Sequence, residues 1–252
     1  MVLESSVPLI CIDRLSLTLG LRKTRGGKVL NPGTRLFEDL SWRLDTGCHA
    51  TIVGPSGSGK TSFLRLLSGL ISPTSGTIAW QGQPYASYVR LRQDMVYVAQ
   101  TPKLLGMTVA EAIAYPLKLR LIPESQIQTR VADIIDRLEI PKSWLTQTEL
   151  QLSQGSQQWV HLARALVIAP IVLLLDEPTA ALDGPQRHCL MNALQSLQQT
   201  TLAIASHDVD WVNALTSNGP MPNRPVPNRP VPNRLTLASR IDRQETRDDE
   251  PW

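Results

Sequence analysis

Aromatic side chains are scarce in this sequence: two Phe, six Trp and four Tyr make up 5% of 252 residues. Aliphatic side chains must therefore build most of any core, and a 42% hydrophobic content supplies them. Cysteine is nearly absent. Cys11, Cys48 and Cys189 form no C-x-x-C pair and have no metal-ligand spacing, which argues against a disulfide framework or a thiol-built zinc site. They are expected as free thiols in a reducing compartment. Long apolar runs are missing too. The longest, residues 169–175, falls far short of the ~20 residues a bilayer demands, and the opening residues do not resemble a signal peptide. Any membrane role is expected to come through a partner chain. Charge of one sign is not in excess: 25 basic and 22 acidic residues leave +3, too little to argue for a nucleic-acid partner.

What is present is alternation of strand and helix patterns. Residues 8–18 and 37–44 read as strands around a Gly/Lys/Arg-rich hairpin loop at 20–34, and 47–53 as a short apolar strand. Further strands are expected at 77–80, 94–99, 171–175 and 201–206. Helices are expected at 61–70, 108–120, 124–138, 156–168 and 186–198. The run Ile171 to Leu175 suits a strand buried on both faces, as in a parallel sheet. The fold class implied is α/β, with a helical stretch at about 105–165 inserted between core strands.

Two places carry chemistry. Gly54, Pro55, Ser56, Gly57, Ser58, Gly59, Lys60 and Thr61 fit G-x-x-x-x-G-K-[ST], followed by Ser62. Glycines let the backbone curl so that amides point at phosphate oxygens, and the following helix adds its positive end. Lys60 supplies a charge for the outer phosphates, and the Thr61 hydroxyl suits Mg²⁺. The apolar strand at 171–175 ends in Asp176 and Glu177, at the edge where open α/β sheets hold their ligands. Asp176 suits Mg²⁺, and Glu177 suits a general base that polarises water.

With these residues the chain resembles the ABC transporter ATPase family over about residues 8–212. Four more pieces stand in the family's order: Gln100 as the Q-loop glutamine, Leu152 to Ser156 as the signature motif, Ala181-Leu182-Asp183 as the D-loop, and His207 as the switch histidine. The resemblance implies a P-loop NTPase core with a mixed sheet, an N-terminal antiparallel β part and a helical subdomain. It implies ATP and Mg²⁺ as ligands, with Thr61, Gln100 and Asp176 around the metal and Glu177, His207 and Gln100 in catalysis. It also implies a head-to-tail pair of copies, in which Ser153, Gln154, Gly155 and Ser156 face the partner's ATP, and an integral membrane permease at the inner face of the cell membrane. The run 99–109 with Tyr115-Pro116 is similar to the subfamily of iron-export ATPases.

The sequence departs from the family in several places. Gln154 and Ser156 stand where Gly and Gln are commoner, and Trp159 where Arg is frequent. No aromatic holds the place where the family stacks adenine: Leu19 lies near it and Phe37 lies late. These departures leave open a degenerate, nucleotide-binding subunit with little hydrolysis. Residues 220–234 are three copies of Pro-Met/Val-Pro-Asn-Arg, where proline forbids helix and central strand. The expected division is therefore an ATPase domain over 1–216, then an extended repeat and charged tail over 217–252 with no packed core.

Overall fold

Alternating apolar residues from Ile10 onward build the first layer. In the computed structural model, which describes residues 7–20, 22–23, 29–31, 33–85, 91, 93–101, 106–197, 199–217 and 233–237, strand β1 (Ile10–Leu19) is central to it. β1 pairs antiparallel with β4 (Thr34–Leu44) on one side and β6 (Ser75–Trp80) on the other; β7 (Gln83–Pro84) extends the edge. Between β1 and β4, the expected hairpin contains a two-stranded ribbon, β2 (Arg22–Lys23) with β3 (Val29–Asn31).

The second sheet is made of β5 (Ala50–Val53), β8 (Met95–Val98), β9 (Val172–Asp176), β10 (Thr201–Ala205) and β11 (Asn233–Thr236). Its order is β11-β5-β10-β9-β8, and each pairing is parallel. Every residue of β5, β9 and β10 is buried, which is why these strands read as unbroken apolar runs instead of alternating ones. The antiparallel and parallel ladders that the fold class calls for are thus sorted into different sheets.

The helices bounded on both sides are α1 (Lys60–Leu67), α2 (Val109–Leu119), α3 (Glu124–Arg137), α4 (Gln154–Leu166), α5 (Gly184–Gln195) and α6 (Val209–Ser217). Between β8 and β9 the described regular elements are α2, α3, α4 and two 3₁₀ turns, joined by a single bridge, Thr108 to Thr148. α2 starts where it does because Thr108 and Glu111 cap each other: Glu111 N–H donates to the Thr108 hydroxyl, and Thr108 N–H donates to the Glu111 carboxylate at 2.9 Å.

The two phenylalanines meet where the layers join. Phe63 of α1 is fully buried and takes Phe37 edge-on, with centroids 6.2 Å apart, and Trp42 edge-on at 5.5 Å. A chain poor in aromatics spends both Phe residues on docking α1 against the antiparallel sheet.

The structure corrects one expectation about the tail. The composition from residue 217 onward predicts no packed core, yet β11 lies inside that span and pairs with β5. Leu235 and Leu237 are buried, and Leu237 N–H donates to Val53 O at 2.8 Å. The third repeat copy therefore ends inside a strand, with Asn233-Arg234 as its first residues. The physical reason lies in the residues after each Asn-Arg. The first two copies continue into proline, whereas the third continues Leu-Thr-Leu, an alternation that gives one buried face. Residues 218–232 and 238–252 lie outside the described residues. Among the described residues, no helix is long and apolar enough to cross a membrane.

Candidate nucleotide site

Parallel pairing puts the carboxyl ends of β5, β10, β9 and β8 on one edge of the sheet. Four expected site segments come after those ends in turn: residues 54–59 after β5, His207 two residues past β10, Glu177 immediately past β9, and Gln100 two residues past β8. β10 lies between β5 and β9, so the histidine sits between the glycine loop and the carboxylates.

The loop is built for close approach. Pro55, Ser56 and Gly57 form its tip, while Ser58 is buried with a hydroxyl that has no hydrogen-bond partner. Gly57 and Gly59 have φ of 78° and 102°, which side-chain-bearing residues rarely adopt. At Gly59 a Cβ would also meet the Phe37 ring at 2.8 Å. Gly59 caps α1 without a side-chain hydrogen bond. The first-turn amides of Lys60, Thr61 and Ser62 thus have neither a cap nor an intrahelical acceptor, and an anion is their natural partner. Lys60 Nζ donates to Gly54 O at 2.8 Å and to Pro55 O at 3.3 Å, which holds the ammonium over the loop.

Glu177 is the point on which the site converges. Its side chain is 10% exposed, with Oε1 3.9 Å from Lys60 Nζ and Oε2 2.8 Å from His207 Nδ1. The His207 N–H donates to the same Oε2 at 3.2 Å. Glu177 N–H donates to Ala205 O, extending the parallel ladder by one rung, and its φ of 48° ends the strand there. The histidine loop is itself anchored: Asp208 Oδ2 accepts from Arg187 Nη1 at 3.1 Å, and Asp208 Oδ1 accepts from Trp211 N–H at 3.1 Å.

Asp176 is 1% exposed. Burial pushes its carboxyl above the ordinary range, and the charge of Glu177 adds to that; hydrogen bonds from Thr61 and Tyr97 and the nearby Arg65 act the other way. Tyr97 OH donates to Oδ2 at 2.9 Å. Oδ1 is buried without a partner. A cavity of about 380 Å³ is lined by Thr61, Arg65, Tyr97, Gln100, His161 and Asp176 with two neighbours. A hydroxyl, an amide oxygen and one carboxylate with an orphaned oxygen fit a hard cation that takes its remaining ligands from phosphate and water. Among the described residues there is no cluster of three or more His, Cys, Asp or Glu side chains that could hold a metal ion.

The signature residues stand apart from that cavity. Ser153 caps α4 by accepting from Ser156 N–H at 3.1 Å, and its hydroxyl lies 2.9 Å from that of Ser156. α4 begins two residues earlier than expected because this cap forms at Ser153. Gln154 is exposed. Gly155 backs onto the segment before α5: a Cβ there would meet Ala181 O at 2.6 Å. Asp183 caps α5, accepting from Gln186 N–H at 2.8 Å. Trp159 points inward, 2% exposed, and donates from Nε1 to Leu138 O at 3.0 Å. Phe37 is committed to the core, so it is not free to stack on a base.

Sequence reasoning missed Tyr97, Arg65 and His161. Register is the signal that finds Tyr97. It pairs with Leu174, and residues two apart share a face, so the Tyr97 ring starts one pleat short of Asp176 on the same side. Nothing in the spacing of His161 sets it apart from a helix-face residue.

A glycine loop between a buried parallel strand and a helix, with paired carboxylates at the end of a strand two places over, defines a P-loop nucleotide-binding protein. The chain belongs to the ABC transporter family, whose family model matches residues 37–180. It is 36% identical over 209 residues to the spermidine/putrescine import ATP-binding protein PotA of Thermobifida fusca (strain YX), covering 81% of this chain and 52% of PotA. It is 35% identical over 185 residues to the "Probable iron export ATP-binding protein FetA" of Escherichia coli (strain K12), covering 71% of this chain and 81% of FetA. The chain thus spans about half the length of PotA. Among solved structures, the dimeric post-hydrolysis state of the ATP-binding cassette MJ0796 bound to ADP and Pi aligns with a TM-score of 0.70 at 24% identity, covering 80% of this chain and 89% of that one.

Proposed function

We propose that this chain is the ATP-hydrolysing motor of a transporter, working as a pair of copies on a separate integral membrane subunit. The observation that carries the reading is the environment of Glu177, a buried carboxylate flanked by the loop lysine at 3.9 Å and the His207 imidazole at 2.8 Å.

The chemistry comes from those positions. The loop amides and Lys60 take the triphosphate, with Lys60 giving up its contacts to Gly54 and Pro55 for the outer phosphates. Thr61, Gln100 and Asp176 would hold Mg²⁺, which when bound offsets phosphate charge. Glu177 accepts a proton from the attacking water as general base. His207, through two contacts to Oε2, keeps that carboxylate aimed. Ser153, Gln154, Gly155 and Ser156 of a second copy close over the nucleotide, and Asp183 lies in the same interface. The dimeric state of the MJ0796 cassette supports this pairing. Gly155 packs so closely on Ala181 O that a Cβ would meet it at 2.6 Å, which sets the signature loop against the D-loop of its own chain.

Relatives named for import and for export support transport in general. FetA agrees with the iron-export resemblance, while PotA is as similar in sequence and is named for polyamine import. Cargo and direction belong to the membrane subunit, which would dock near Gln100 and hold the cassette at the cytoplasmic face of the membrane. No nucleic-acid partner is proposed. A degenerate subunit is the second reading, favoured by the exposed Gln154 in the signature loop.

Turnover of the wild-type chain with its membrane partner, compared with that of Glu177→Gln, decides between them. Hydrolysis is expected to fall by about 10²-fold or more, with ATP-bound dimers accumulating in size-exclusion chromatography. Wild-type turnover in that variant would remove Glu177 from its role. Absence of turnover in the wild-type chain together with its membrane partner would favour the degenerate subunit.

A further inference from the structure

The polar groups on the Asp176 side of the cavity go beyond what nucleotide hydrolysis itself uses. Asp176 has two oxygens in unlike situations: Oδ2 accepts from Tyr97 OH at 2.9 Å, while Oδ1 is buried with no partner. The Tyr97 ring sits in β8 at the rung opposite Leu174 of β9, and the Arg65 side chain of α1 lines the same cavity, its charge favouring the ionised phenol. Arg65, Tyr97 and Asp176 come from three elements, yet they line one cavity with Thr61 and Gln100.

We propose that Tyr97 is a positioning residue of the cation site: its hydroxyl takes Oδ2 and fixes the carboxylate plane, so that Oδ1 is the oxygen reserved for the metal. The inference rests on the reading of Asp176 as a metal-holding residue. A carboxylate free to rotate offers either oxygen, or both, in many orientations; one with an oxygen tied down offers a single acceptor in one place. Mg²⁺ tolerates little departure from octahedral geometry, so the gain falls on affinity and on the choice between Mg²⁺ and larger ions. Groups that orient a ligand without touching the metal change metal affinity by about 10- to 100-fold when removed.

Tyr97→Phe deletes one oxygen and preserves the ring that packs in β8, so the variant is expected to fold as the wild type does. The probe is Mn²⁺, whose binding in the presence of ATP is read by electron paramagnetic resonance, alongside ATP affinity measured in EDTA. Asp176→Asn is the comparison variant. Expected for Tyr97→Phe are unchanged ATP affinity in EDTA, Mn²⁺ affinity weaker by about tenfold or more, and a reduced preference for Mg²⁺ over Ca²⁺ in competition. Mn²⁺ affinity equal to wild type, or tighter, while Asp176→Asn has lost it, would overturn the role of Tyr97 alone. Unchanged Mn²⁺ affinity in Asp176→Asn would overturn the metal-holding role of Asp176 and the inference with it. A loss of ATP affinity in EDTA by Tyr97→Phe would show a general disturbance of the site and overturn the positioning role.

Discussion

Single residues in this site are set by what surrounds them. His161 lines the candidate cavity, but burial and the Arg164 charge push its pKa from 6.5 down to about 4, so at neutral pH it carries no charge. The folded state then binds fewer protons than the unfolded chain between about pH 4 and 6.5, and stability rises with pH through that window. Protonation on acidification removes up to about 3 kcal/mol. Asp176, with its pKa raised by burial, works in the opposite sense: stability falls as pH rises above its unfolded value. Comparison with a variant isolates the histidine. His161→Ala is expected to show a flatter loss of stability from pH 6.5 to 4 in urea denaturation; equal slopes in the two proteins would contradict the assignment. Glu177, by contrast, owes its place to two neighbours from other elements, which its spacing in the chain does not reveal.

Elements show the same dependence on neighbours. Helix starts were legible to within two residues because their caps are local: Thr108 with Glu111, Ser153 with Ser156, Asp183 with Gln186. Central strands were legible because burial on both faces demands unbroken apolar runs. β11 was not, because it has only four residues, comes after a proline repeat and is stabilised by pairing with β5, far earlier in the chain. That pairing places Leu237 O against the root of the phosphate loop, where a Cβ on Gly54 would meet it at 2.6 Å. Leu235→Ala is expected to cost about 2–4 kcal/mol in chemical denaturation, whereas exposed Arg234→Ala should stay within about 0.5 kcal/mol. A cost at Leu235 no larger than at Arg234 would mean that the strand does not hold in solution.

At the scale of the whole molecule, the repeat stands between α6 and β11 in the chain and its last two residues open β11, so it does not follow the end of the fold. Where a connection closes as a flexible loop, each doubling of its length costs only about 0.6 kcal/mol. Deleting one copy, residues 220–224, should therefore leave the melting temperature and ATP turnover close to wild type. A large drop in either would give the repeat a structural part. The two apolar clusters are likewise a property of the whole: one joins α2, α3, α4, α5 and α6 to one face of the parallel sheet, the other joins α1 and the antiparallel sheet to the opposite face. The edge that carries the candidate site is where strands shared by both clusters come to their ends.

The amino-acid sequence by itself determined the phosphate loop, the order of the family's motifs and most elements, because glycine conformations, caps and apolar runs act over short stretches of chain. Only the tertiary structure decided which oxygen of Asp176 is tied and by whom, how Lys60 and His207 share Glu177, and that a strand succeeds the repeat. Those outcomes depend on strand order and register, which bring together residues far apart in the chain through contacts that no local pattern encodes.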